Sequence, residues 1–132
     1  MRYLILDANI LINNWHRARG RTLADKTVAD AESWASKLIE IYQTAVIVTP
    51  VYIEFIGGVH NSHELRLARA YLNSFRLLDG GNITVEDWRE ARRLAERIPR
   101  DSRPRHLGDC LIKAIANRFR CEVESPDLGK PL

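Results

Sequence analysis

The strongest constraint on the fold of this chain is a pair of short, uninterrupted apolar runs, Tyr3-Leu4-Ile5-Leu6 and Ala45-Val46-Ile47-Val48. A strand that is apolar on both faces must be covered on both, which is the situation of a central strand in a parallel sheet packed between helices. The segments around these runs carry helical spacing. From about Thr27 to Tyr42, Val28, Ala31, Ala35, Leu38, Ile39 and Tyr42 recur at intervals of three and four, the pattern of an amphipathic helix. Asn61 and Glu64 are placed as a capping box ahead of the stripe Leu65, Ala68, Leu72 and Phe75, while Thr84 and Asp87 mark a further N-terminus ahead of Trp88, Ala91 and Leu94. Leu111, Ile112, Ile115, Ala116 and Phe119 give the last helix its apolar face. Arg76-Leu77-Leu78 reads as a third strand. Cys121 to Ser125 alternates apolar and charged residues, as an edge strand does. The β-α-β-α order predicts an α/β fold, a three-layer α/β/α sandwich around a central parallel sheet of four strands with a fifth left open, in a single domain over 1–132.

A chain of 132 residues buries a sizeable core without disulfides or structural metal. Its 20 Lys plus Arg against 17 Asp plus Glu leave a net charge of +3, so the distribution of charge, rather than its sum, must speak for any polyanionic partner. Cys110 and Cys121 form neither a CxxC pair nor a dense framework and fall in apolar segments, the usage of buried thiols in a reducing cytoplasm. The N-terminus runs directly into the first strand without a long apolar leader, and no stretch of about 20 apolar residues occurs, so neither secretion nor membrane association is expected.

Acids are the other feature of note. Asp7 follows the first run, Glu54 follows the second within the helix that Pro50 can begin, Asp109 opens the last apolar helix, and Asp127 follows the fourth strand. Ligands of open α/β sheets bind outside the carboxyl ends of the strands, so these four carboxylates are expected to converge there. At neutral pH they would repel one another unless a divalent cation held them ionised, and an all-oxygen set suits Mg²⁺ or Mn²⁺. Asn9, two residues after Asp7, is placed either to orient that carboxylate or to cap the helix that follows. The residue-level alternatives are a turn acid at Asp7, a solvated helix residue at Glu54 and a helix-dipole charge at Asp109.

Four motifs carry a resemblance to a known family: Leu6-Asp7-Ala8-Asn9-Ile10-Leu11-Ile12, Glu54-Phe55-Ile56-Gly57, Gly108-Asp109-Cys110-Leu111-Ile112 with Ala114 and Ala116, and Ser125-Pro126-Asp127. In this order and spacing, over nearly the whole chain, the sequence resembles PIN-domain ribonucleases, in particular the VapC-like toxins of prokaryotic toxin-antitoxin pairs. The resemblance implies a metal-dependent endoribonuclease with Asp7, Glu54, Asp109 and Asp127 as Mg²⁺ or Mn²⁺ ligands and Asn9 as a supporting catalytic residue. It also implies an RNA substrate, a cognate antitoxin and a homodimer. The chain departs from the family after the fourth acid, where only Leu128-Gly129-Lys130-Pro131-Leu132 remain in place of an aromatic residue and a fifth strand. Glu124 is the substitute should Asp127 not serve.

Two basic segments complete the reading. Arg17, Arg19 and Arg21 form a basic turn broken by Gly20, and Arg103 and Arg105 lie with Arg100 and His106 in a loop ahead of Asp109. As a rim around an acidic centre they would contact RNA phosphates, with salt-dependent affinity and little sequence selection. Two alternatives stand beside the nuclease. One is an aspartate-nucleophile phosphatase, which needs a second acid where this chain has Asn9; the other is a non-catalytic PIN-like RNA-binding or scaffold protein.

Overall fold

The computed structural model describes residues 4–97 and 106–126. The elements follow in the order β1 (Leu4–Leu6), α1 (Ala8–Arg19), α2 (Val28–Tyr42), β2 (Val46–Ile47), α3 (Thr49–Ile56), α4 (Ser62–Leu72), β3 (Arg76–Leu77), α5 (Val85–Ala95), α6 (Leu107–Phe119) and β4 (Glu122–Glu124). Four parallel strands in the order β3-β2-β1-β4 make the central layer of the three-layer α/β sandwich expected from the sequence. The apolar runs occupy the two central positions, where Ile5, Leu6 and Ile47 are wholly buried. The alternating segment Glu122-Val123-Glu124 lies at the edge, in register with Leu4, Ile5 and Leu6. The question of a fifth strand falls on 127–132, outside the described residues.

Strand β2 is shorter than the sequence implies, because Thr49 already begins α3 and Pro50 sits in its first turn. Proline suits that position, where its missing N–H is not needed. The N-cap, Val48, has no side chain able to cap, and the function passes to Asp79, which follows β3. Asp79 is buried and accepts from Thr49 N–H at 3.0 Å and from the Thr49 hydroxyl at 2.9 Å. Capping at α1, α2, α4 and α5 is local, and the N-cap of α6, His106, makes no side-chain cap bond. Thr27 with Asp30 and Thr84 with Asp87 form complete capping boxes, so Asp30 is a cap as well as a surface charge. At α4 the box is split: Asn61 accepts the Glu64 N–H, but the Glu64 carboxylate turns to His60 N–H at 2.8 Å.

The larger core joins the sheet to α1, α2, α3, α4 and one face of α6, and a smaller cluster of Ala91, Leu94, Cys110, Leu111 and Ala114 joins α5 to α6. At the centre of the larger core Tyr71 from α4 stacks with Trp15 from α1 and Phe55 from α3, at ring separations of 5.0 Å and 5.4 Å. Its hydroxyl donates to the Leu11 carbonyl at 3.0 Å and accepts from Asn14 at 2.9 Å. Burial pushes this phenol above its ordinary range, outweighing the opposing effects of Asn14 and Arg17. At the far end of α6 the Arg118 guanidinium grips the buried Asp87 carboxylate with two contacts of 2.9 Å. Burial pushes the Asp87 carboxyl up, but Arg118 and the Thr84 backbone and hydroxyl together hold it below the usual carboxylate range.

Two stability tests follow from these contacts. Asp79→Ala is expected to destabilise the protein by roughly 1–2 kcal/mol in urea unfolding, the cost of losing a helix cap with its hydrogen bonds. Arg118→Met is expected to cost about 2–3 kcal/mol at neutral pH, less than a fully enclosed pair because the arginine is partly open to solvent. Because the folded Asp87 titrates below its unfolded value, its contribution is complete above the unfolded pKa and is lost as pH falls through the folded one. The stability gap between wild type and Arg118→Met therefore closes as pH drops below the carboxylate range; a gap independent of pH would contradict the pairing.

Candidate metal centre

Central strand β1 ends where the chain reverses direction across the sheet: β2 lies on one side of it and β4 on the other, the position at which such sheets open a crevice. Asp7 is the next residue. Its backbone N–H donates to the Glu124 carbonyl at 2.9 Å, adding a rung to the β1–β4 ladder just as the chain turns into α1. Its side chain is the N-cap of that helix, with Oδ1 accepting the Ala8 N–H at 2.8 Å, and the residue is only 7% exposed. Asp7 is thus held by backbone on both sides. Asn9 is half-buried in the first turn of α1, and the capping role open to it in the sequence belongs to Asp7.

Glu54 reaches the same edge from the second turn of α3 rather than from a strand end, and Asp109 reaches it from the first turn of α6, as expected for that residue. Helices that alternate with parallel strands start at the carboxyl edge of the sheet, which brings both first turns toward Asp7. A β-carbon built on Gly108 would stand 3.8 Å from Glu54 Oε1, so the carboxylate lies against the start of α6. The Glu54 carboxyl is raised above its ordinary value, first by desolvation among protein atoms, then by the negative charges of Asp7 and Asp109, with His106 opposing. The acids from three separate elements therefore share one electrostatic neighbourhood.

Their freedom differs. Asp7 is buried and capped in place, whereas Glu54 and Asp109 are exposed. As the side chains stand, no three His, Cys, Asp or Glu among the described residues are grouped closely enough to enclose an ion. Their exposure leaves the Glu54 and Asp109 side chains room to change rotamer. The donors fit a hard divalent ion, since all are carboxylate oxygens and the repulsion that raises Glu54 is relieved by positive charge. Asp127, the fourth expected ligand, lies outside the described residues. Glu124 is exposed at the end of β4, and its carbonyl is engaged by Asp7.

The basic rim is partly redrawn. Arg17 and Arg19 belong to the last turn of α1, not to a turn, because the helix runs on to its C-cap at Gly20, whose φ of 67° suits glycine. Arg19 is paired with Glu64 at 3.3 Å, and Arg21 lies in the loop that follows. Arg103 and Arg105 lie outside the described residues. His106, read from the sequence as part of the basic loop, is the N-cap residue of α6 and lowers the Glu54 carboxyl against the acids that raise it. Two functional features escaped the sequence reading, the Asp79 cap that positions α3 and the Arg19–Glu64 pair. Asp79 satisfied the same criterion as Asp7, an acid directly after a strand, and is distinguished only by the Gly80-Gly81 turn behind it.

Comparison of the chain with protein-family models, curated proteins and solved structures finds no match. Among the described residues no helix is long and apolar enough to cross a membrane.

The shared neighbourhood has a direct test. In the absence of metal, Asp7→Asn and Asp109→Asn should each lower the Glu54 pKa toward the ordinary glutamate value, read by carbon-detected NMR titration of side-chain carboxyls. Asparagine caps helices as well as aspartate does, so the first substitution keeps α1 intact. A Glu54 titration insensitive to both would mean that the acids do not converge.

Proposed function

We propose that this protein is a metal-dependent endoribonuclease of PIN-like architecture that hydrolyses RNA phosphodiesters with Mg²⁺ or Mn²⁺. The observation that supports the reading is the place of the Glu54 carboxylate against the start of α6, at Gly108 beside Asp109, where the charges of Asp7 and Asp109 help raise its carboxyl. The ordered motifs of the sequence supply the remainder. Asp7, Glu54 and Asp109 would hold the ion, with Asp127 as a further ligand. When bound, the ion supplies Lewis acidity that favours ionisation of water and offsets charge at the scissile phosphate. Asp7 provides a preset anchor, because the Ala8 N–H fixes its carboxylate before any ligand arrives. Glu54 and Asp109 complete the set by rotation, and Asn9, in the first turn of α1, is the polar residue nearest in sequence to that anchor.

The resemblance to VapC-like toxins extends the proposal to biology: a toxin that acts on RNA, held in check by a cognate antitoxin and active as a homodimer in the cytoplasm. The phosphatase alternative is disfavoured by the residue at position 9, which is asparagine where a proton-donating acid is needed.

Purified protein should cleave single-stranded RNA with Mg²⁺ or Mn²⁺ and lose that activity in EDTA. Asp7→Asn and Asp109→Asn should each lower turnover by at least about a hundredfold, and Glu54→Gln comparably, with circular dichroism unchanged. The same substitutions should raise the metal-free melting temperature slightly by removing like-charge repulsion. Near-normal, EDTA-sensitive cleavage by either aspartate variant would remove these residues from the chemistry.

A further inference from the structure

Behind Glu54 the surface is hollowed. A cavity of about 110 Å³ has Glu54 in its wall together with His16, Arg19, Gly58 and His60. A larger one of about 400 Å³ opens past Arg19 and His60, between the 20–24 loop and the start of α4, where Arg21, Asn61 and His63 line it. Arg19, His60 and Glu64 belong to both. The two hollows therefore adjoin across these three residues, the smaller next to Glu54 and the larger farther from it.

The walls of these hollows are tied together. Arg19 at the end of α1 pairs with the buried Glu64 of α4, and Glu64 also accepts the His60 N–H. His63 Nε2 lies 2.9 Å from the Leu23 carbonyl. A carbonyl only accepts, so this nitrogen carries a hydrogen and fastens the loop to α4. The charge of the larger cavity is also set: Arg19 and Arg21 face one carboxylate, Glu64, which leaves it positive even with both imidazoles neutral. A positive hollow of this size takes an anionic group with some attached bulk.

We propose that the larger cavity is a second phosphate subsite for the same RNA strand whose scissile phosphate meets Asp7, Glu54 and Asp109. This rests on the ribonuclease reading and adds to it a direction: the strand runs from the acids past His16 and Arg19 into the space between Arg21 and His60. Arg21 and His60, both exposed, contact the phosphate. Arg19, held by Glu64, forms the passage between the two hollows.

The experiment measures binding of a fluorescent single-stranded oligouridylate to the full chain in EDTA, across a salt series, with cleavage of the same RNA in Mn²⁺ measured in parallel. Arg21→Ala and His60→Gln should each weaken binding roughly fivefold. Arg21→Ala should also reduce the logarithmic salt slope by about 0.7, the signature of one phosphate contact on a single strand. Glu64→Gln, which keeps an oxygen for the His60 N–H but removes the cavity's negative charge, should tighten binding. Arg66→Ala, at an exposed arginine of α4 that lines neither hollow, controls for net charge and should change little. Mn²⁺ affinity, titrated with the metal alone, should be unaltered in Arg21→Ala and His60→Gln. If both variants bind as Arg66→Ala does while the wild type still cleaves RNA, the subsite is wrong and the ribonuclease reading stands. A wild type that neither binds nor cleaves RNA overturns both.

Discussion

The contact on which the geometry of the acid site depends is the stacking of Tyr71 against Trp15 and Phe55. Those rings come from α4, α1 and α3, and Trp15 is also edge-on to Trp34 of α2 and to Phe55, so one aromatic cluster ties together four of the five helices that meet in the larger core. Each such pair adds about 0.5–1.5 kcal/mol beyond the burial of its surface. The tyrosine hydroxyl cannot be left unpaired at this depth, and its bonds to Leu11 and Asn14 fix the rotation of α1 as well as its distance. Phe55 is the residue after Glu54. Pinned there, and by Asp79 at its first residue, the eight-residue α3 has little freedom to tilt. The Glu54 backbone is therefore fixed although its side chain is not.

This division between fixed backbone and free carboxylates explains how like charges coexist in one place. Asp7 cannot move away, since its oxygen caps α1 and its N–H extends the sheet. The remaining repulsion is relieved in two ways without metal: Glu54 and Asp109 stay exposed to water, and the Glu54 carboxyl holds its proton to higher pH. Both forms of relief cost something that a cation would return. In the proposed metal centre this repulsion would be the stability given up in the empty protein for affinity toward a divalent ion.

What was legible in the sequence is what depends on near neighbours along the chain. The central strands showed as continuous apolar runs, β4 as an alternating edge, and the starts of α4 and α5 as capping pairs three residues apart, because each of these patterns is set within a few residues. The edges of elements were less legible. Val48 closed an apolar run that looked like strand but is the N-cap of α3, since the side chain that caps this helix comes from Asp79, 30 positions from Thr49. Likewise Arg19 looked like a free rim residue and is paired with Glu64, 45 positions away. Of the acids, Asp7 and Asp109 could be placed from the elements they adjoin. Glu54 was placed within the helix that Pro50 can begin, and α3 carries it there, because proline in the first turn is itself a local signal.

Short strands also determine how a perturbation travels. Strands β2 and β3 are two residues each, so few ladder bonds hold that half of the sheet, and helix caps and side-chain clamps carry what longer strands would otherwise carry. On the other half, α6 bears Asp109 at its start and Arg118 near its end, where the grip on Asp87 ties it to α5. Loss of either clamp should loosen a whole helix rather than a single contact, and α3 and α6 each carry one of the acids. The site is assembled from the ends of well-anchored helices around one buried strand, so its precision depends on contacts lying well away from the carboxylates themselves.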